Sequence, residues 1–457
     1  MKRNVIVSVG AVIAVVVLLP ILAGVTRWVG GGGSLQQEYD RIRAEGQPLT
    51  YEELDAWYER PADNAADLYI KAFDAHVEPS PELQARLPLE SGGALPRRGQ
   101  PLPETAHLAT QEHVRLNSRS IALLHEAATR PHCRYDLRKG PLELPYVQRT
   151  RWSARLLAEQ AVLLADTGDL EGATKSLVAL FAVGNSTENE PMLLSQIVRC
   201  NCALIGLDAL KWVVRWAPLN DAELAKLSDA LDPFSNERTF WRGLVGERCT
   251  WIGVWDTRMG PGLGAYGPEL NIDALKKHIQ SALFDADLVY MLRILDIAIQ
   301  GAKLPPEESH SKLQEATKLA QEAPSDYLIT NWNGGGTPTV VFDGESNVFA
   351  GIRFTGLRDR TAAGSRTAVA ALAVKRYQLQ NGALPDSLGQ VVPRYMPAVP
   401  LDPYDGQPLR YRKEADKYVV YSISKNGRDD GGIEGSDMKQ EWESGDITFT
   451  VPHPYRQ

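Results

Sequence analysis

From Arg366 to about Ile447, the order of residues restricts the fold more tightly than anywhere else in the chain. An alanine-rich run ends in Lys375-Arg376-Tyr377-Gln378-Leu379-Gln380-Asn381-Gly382. Val369, Leu372, Ala373, Arg376 and Leu379 mark one stripe of a helix predicted over Thr361 to Gln380, with alanines that allow close approach. Asn381-Gly382 suits its end, because both residues tolerate a left-handed backbone. Pro385-Asp386-Ser387-Leu388 then begins a short helical turn, and Asp402-Pro403-Tyr404-Asp405-Gly406 is turn chemistry. Leu409-Arg410-Tyr411-Arg412 and Tyr418-Val419-Val420-Tyr421 alternate as two strands of a hairpin turning near Glu414-Ala415-Asp416. Asp446 to Val451 is a candidate third strand. The stretch predicts a helix on a small antiparallel sheet.

Between Ala106 and Trp216 the apolar spacing is helical. Trp152, Leu156, Leu157, Leu163 and Leu164 share one helix; Asp166-Thr167-Gly168-Asp169 forms a turn, and Leu177 and Leu180 lie on the next helix. This is one helix-turn-helix unit, with no clear repeat near 34 residues, so a bundle is expected ahead of a repeat array. Pro191 opens a long apolar helix whose Arg199, Asp208, Lys211 and Arg215 argue against a membrane span. Asp232-Pro233 is expected to end the helix that starts near Asn220. Trp241, Trp251 and Trp255 are expected to be core aromatics. The predicted class is mainly α: a transmembrane helix, a bundle or repeat-like α-helical domain, and a small α+β domain. The boundaries are 1–27 for the anchor, 28–49 for a linker, 50–345 for the helical domain and 346–457 for the α+β domain.

The N-terminus decides the expected location. Lys2 and Arg3 precede an uncharged run from Val5 to Val25, 21 residues ended by Arg27. As a helix it is roughly 31 Å long, enough to cross a hydrocarbon core of about 30 Å. A cleaved signal peptide would have a shorter apolar region and a better cleavage site than Leu22-Ala23-Gly24. An uncleaved signal anchor is therefore expected, followed by the flexible Gly30-Gly31-Gly32-Gly33-Ser34 tether, with the bulk of the chain extracytoplasmic (periplasmic). Cys133, Cys200, Cys202 and Cys249 either include a bridge in that compartment or serve as small buried apolar groups.

A net charge of -8 over 457 residues, with no Lys/Arg run, argues against a nucleic-acid partner. Catalytic motifs fail on context. Gly262 to Gly267 spells GxGxxG but follows a polar stretch, and Pro268 breaks the helix it needs. Gly334-Gly335-Gly336-Thr337 lacks the Gly-Lys-Ser/Thr of a phosphate loop. The eight histidines contain no HExxH, His107 and His113 fall on opposite helix faces, and Asp285 and Asp287 point apart. No catalytic or cofactor-binding residue is assigned, and an enzymatic role is not expected.

The C-terminal stretch resembles the globular domain of the type II secretion major pseudopilin, a relative of type IV pilins. The resemblance covers about Thr361 to Ile447. Its carriers are Tyr377, Asn381-Gly382 and Pro385, then Leu388 before Val391-Val392, and Tyr395-Met396-Pro397 ahead of Pro400. They continue with Asp402-Pro403-Tyr404, Gly406, Pro408, Tyr411, Tyr421-Ser422, Asn426-Gly427, Gly431-Gly432 and Asp446-Ile447. The family's glycine- and aspartate-rich loop holds a structural calcium. By that resemblance Asn426, Asp429, Asp430, Asp437 and Asp446 are the metal candidates, with backbone carbonyls from Ile423 onwards completing the shell. Two departures stand out in the loop: Asn426 where the family commonly has Asp, and one extra residue before Gly431-Gly432. The family's N-terminal leader site is missing, and Val5 to Val25 contains no Glu. Assembly into a pilus by the family's route is therefore not expected. The expected role is binding or assembly at the cell envelope. The alternatives are an accessory component of a type II secretion or pilus-like machine, and a hydrolase with a site in the helical domain.

Overall fold

The computed structural model describes residues 35–59, 61–89, 95, 100–137, 145–259, 288–322, 354–433 and 445–452. The predicted span Val5–Val25, the GxGxxG stretch, Asp285, Asp287, the Gly334 turn and Asp437 lie outside them. The protein is mainly helical with one small three-stranded antiparallel sheet. Among the described residues, no helix is long and apolar enough to cross a membrane.

Two compact units divide the chain without following its linear order. The first comprises 1–57, 244–300 and 312–352. It includes α1 (Leu35–Ala44), α2 (Tyr51–Trp57) and all but the last two residues of α12, a helix over 288–302. Ile42, Leu49, Ile252, Leu288, Leu292 and Leu295 form its core. At the start of α2, Thr50 Oγ1 accepts the Glu53 amide at 3.2 Å. Glu53 reaches back to accept the Leu49 amide at 2.7 Å, one residue before the position a reciprocal box would use.

The second unit comprises 58–243, 301–311 and 353–457. Its helices begin with α3 (Ala66–Asp74), α4 (Pro81–Gln84), α5 (Glu104–Leu116) and α6 (Ser118–Ala127). They continue with α7 (Pro145–Asp166), α8 (Leu170–Asn185), α9 (Leu193–Trp216) and α10 (Asp221–Ser235). Helices α11 (Phe240–Met259) and α13 (Pro306–Gln321) each contain a unit boundary. The predicted turn joins α7 to α8: Gly168 takes a φ of 89°, and Asp169 Oδ1 caps α8 by accepting the Gly172 amide at 2.9 Å. Helices α7, α8 and α9 pack on one another. Gly184 and Gly206 let α8 and α9 approach closely, since a Cβ on Gly206 would lie 2.6 Å from the Phe181 ring.

Helix α9 buries Arg199 completely. Its guanidinium pairs with Glu237, donates to Asn185 Oδ1 at 3.0 Å and to the Pro233 carbonyl at 2.9 Å, and lies over the Phe234 ring. A buried arginine is stable only with such partners. The helix expected to stop at Asp232-Pro233 continues to Ser235, with Pro233 inside its last turn. The Pro233 carbonyl, near the open end of the helix, is taken up by Arg199 at 2.9 Å.

Helix α14 (Thr355–Asn381) is the axis of this unit, six residues longer at its start than predicted. Asn381-Gly382 ends it as expected: Gly382 has a φ of 71° and donates to the Gln378 carbonyl at 2.9 Å. One side packs on α9 and α10, the other on the sheet. Most of its residues from Thr355 to Lys375 are buried, which explains its alanines and its weak amphipathic pattern. Strands β1 (Arg410–Lys413), β2 (Lys417–Ser422) and β3 (Ile447–Pro452) are ordered β1-β2-β3, with Tyr411 opposite Val420 and Val420 opposite Phe449. Tyr418 Oη donates to the Ala371 carbonyl at 2.9 Å and pins the sheet to α14. Described residues from Ala65 to Val451 contribute to one hydrophobic core.

All four cysteines are free thiols, three of them buried and Cys133 half-buried. Trp241 and Trp251 are half-buried.

Candidate functional site

The β2–β3 connection is where the sequence places its metal candidates. Four left-handed positions shape it: Ser424, Gly427, Gly431 and Gly432. Gly432 is required twice over, because its φ is 68° and an added Cβ would lie 2.7 Å from the Tyr421 ring. Asn426 Oδ1 accepts the Arg428 amide at 2.8 Å, and Asp429 Oδ1 accepts the Gly431 amide at 2.9 Å, two Asx turns in succession. Asn426 Nδ2 donates to Asp430 Oδ2 at 3.2 Å.

Asp446, immediately before β3, is fully buried. Its Oδ2 accepts the Gly432 amide at 2.7 Å, while among the described residues Oδ1 accepts no well-formed hydrogen bond. Burial pushes this carboxyl above the ordinary carboxylate range. The amides of Gly432 and Asp430 oppose that, and the neighbouring Asp429 and Asp430 carboxylates add to it. An orphaned buried oxygen beside two like charges is the electrostatic situation a dication relieves. The donors are hard oxygens, the chemistry that suits calcium. The set is nevertheless incomplete as it stands. Arg410 Nε lies 3.3 Å from Asp429 Oδ2, and among the described residues no three His, Cys, Asp or Glu side chains are grouped to hold a metal. Of the five candidates, Asn426, Asp429, Asp430 and Asp446 fall in one loop; Asp437 is not among the described residues.

A second carboxylate, Asp402, expected at a turn and among the carriers of the resemblance, organises this site. Asp402 is fully buried. Its Oδ1 accepts the Tyr404 amide at 3.0 Å and the Ser422 hydroxyl at 2.8 Å. Its Oδ2 accepts the Ile423 amide at 2.9 Å and Arg410 Nη1 at 2.8 Å. Asp402 thereby ties the turn before the sheet to the first residue of the candidate loop. Arg410 continues the network to Asp405 and Asp429. An Asp-Pro-Tyr turn followed by an Arg at the start of a strand was the available signal.

Between α5 and α7 the structure makes two histidine–carboxylate pairs that no local spacing revealed, and a third, His310 Nε2 with Asp359 Oδ2 at 3.5 Å, joins α13 to α14. His107 Nδ1 lies 2.8 Å from Asp166 Oδ2, and buried His113 Nδ1 lies 2.7 Å from Glu159 Oε2. The partners are 59 and 46 residues apart, joining α5 to α7. Among the described residues neither histidine is hydrogen-bonded to a serine, threonine or cysteine side chain, so neither pair is an assembled nucleophile–base arrangement.

Comparison with protein-family models, with curated proteins and with solved structures gives no match.

Proposed function

We propose that this is a membrane-anchored extracytoplasmic protein whose C-terminal pseudopilin-like module serves binding or assembly at the cell envelope. The observation that carries the reading is the loop between β2 and β3, where Asp446 presents an unpaired buried oxygen beside Asp429 and Asp430. The helix–sheet order, the Asp402-Pro403-Tyr404 hub and the left-handed glycines before Asp446 support it.

In this reading Asp429, Asp430 and Asp446 hold a structural calcium, with Asn426 and Asp437 completing the set. The ion supplies charge neutralisation. The chain's own residues position the loop: Asp402 fixes its start, and Gly432 lets its end reach Asp446.

The burial of α14 on both sides supports a module reused within a helical scaffold. Helices α9 and α10 and the sheet cover α14, so little of it is left to pack against a second subunit. The role is therefore that of a binding partner of pseudopilin-like subunits, not a filament subunit. Affinity capture of the full chain from detergent-solubilised envelopes tests this. Recovery of pseudopilin subunits is the expected result; their absence from the eluate contradicts the assembly role.

A further inference from the structure

The connection between α8 and α9 contains a buried acid that no part of the proposed function uses. Glu190 is fully buried. Its carboxyl meets neighbours from every element around it. Tyr146 of α7 donates its hydroxyl to Oε1, and the other oxygen, Oε2, accepts no well-formed hydrogen bond. Ser195 of α9 places its hydroxyl beside the carboxyl. The 132–137 segment contributes Cys133, Arg134 and Tyr135, and Tyr58 faces it from the start of the unit. Glu188, on the same connection, turns instead toward Arg199 at 3.8 Å.

These neighbours are tied together independently of Glu190. Tyr135 and Tyr146 stack at 4.2 Å, and Tyr135 Oη donates to Ser186 Oγ at 3.1 Å, since that hydroxyl itself donates to the Val183 carbonyl. Arg134 Nε donates to the Tyr58 carbonyl at 3.0 Å and its guanidinium lies over the Tyr58 ring. On the other side, Gln196 Nε2 donates to the carbonyls of Thr187, Glu188 and Glu190 at 3.0, 3.0 and 2.8 Å. The connection is thus held at its backbone by one glutamine and at its side by one carboxyl.

We propose that Glu190 is a proton-operated latch, closing the α8–α9 connection onto the Tyr58–Tyr135–Tyr146 cluster when protonated and releasing it when ionised. A neutral carboxyl suits this site: among the described residues a single phenol is its one well-formed donor, fewer than a buried carboxylate needs in place of water. Burial pushes Glu190 up to about 7, and the Tyr146 phenol, the Ser195 hydroxyl and the Arg134 guanidinium only partly offset it. The surrounding groups do not titrate in the same range. Burial pushes the Cys133 thiol up to about 12 and holds the phenols of Tyr58, Tyr135 and Tyr146 above their ordinary range. Glu190 alone in this cluster therefore changes charge near neutrality.

The test is hydrogen exchange of residues 186–192 in the full-length protein from pH 5 to pH 8.5, corrected for the intrinsic pH dependence of exchange. The latch predicts that the opening equilibrium rises about tenfold per pH unit up to about pH 7 and then levels off. Glu190→Gln should remove this slope. Tyr146→Phe withdraws a donor that favours the carboxylate, so the plateau should move to higher pH. A flat profile in the wild-type chain overturns the proposal. So does an unchanged slope in Glu190→Gln or an unmoved plateau in Tyr146→Phe.

Discussion

Asp402 and Glu190 are two buried carboxylates of similar exposure that differ in their donors. Asp402 accepts four hydrogen bonds, one from a guanidinium; burial pushes its carboxyl above the ordinary range, and the Tyr404 and Ile423 amides and the Ser422 hydroxyl oppose that shift. Asp402→Ala would strand two amides, a hydroxyl and Arg410 at once. It should cost about 3–5 kcal/mol in chemical denaturation, as expected when one side of a buried ion pair is removed. Glu190 has one phenol donor, and its folded-state pKa lies above the unfolded value of 4.5. A folded state that keeps a proton the unfolded chain releases loses stability as pH rises. The loss should run from about pH 4.5 to about pH 7 and reach about 3 kcal/mol, and Glu190→Gln should abolish it in denaturation measured across that window. In sequence Asp402 was legible only as part of an Asp-Pro-Tyr turn, and Glu190 not at all. The partners of Asp402 include a strand end 20 residues away, and Tyr146 is 44 residues from Glu190.

At the scale of elements, much more could be read in advance. The end of α14 at Asn381-Gly382, the α7–α8 turn at Gly168 and all three strands follow from local residue chemistry, and they form where that chemistry puts them. The start of α14 and the continuation of α10 through Pro233 do not. Both depend on packing: Arg199 takes up the Pro233 carbonyl, and the first turns of α14 are buried by neighbours remote in sequence. Two glycines test the packing directly. Gly206→Ala would push a methyl into Phe181 and Leu180 at the α8–α9 contact and should destabilise by about 1–3 kcal/mol in thermal or denaturant unfolding. Gly432→Ala combines an unfavourable φ with a clash against Tyr421, so a loss of about 1–3 kcal/mol is expected there too. That variant should also weaken any cation bound beside Asp446, to which Gly432 donates.

Across the whole molecule, residues far apart in sequence share cores. A C-terminal stretch with its own turn signals reads as a separate domain. Yet Ala368, Leu372, Tyr418 and Phe449 share a core with α7, α8 and α9. Sequence periodicity reports that a face is apolar, not which remote element covers it. The proposed anchor has a whole-molecule test: the full chain should stay in the membrane pellet after alkaline carbonate extraction, and removal of residues 1–27 should release it. The cation site proposed for the C-terminal module is tested by calorimetric titration of the full chain with calcium. Saturable binding below about millimolar calcium is expected, in the range of extracellular calcium modules, and should be lost in Asp446→Asn. Absence of binding heat at millimolar calcium, or identical binding in Asp446→Asn, would contradict it.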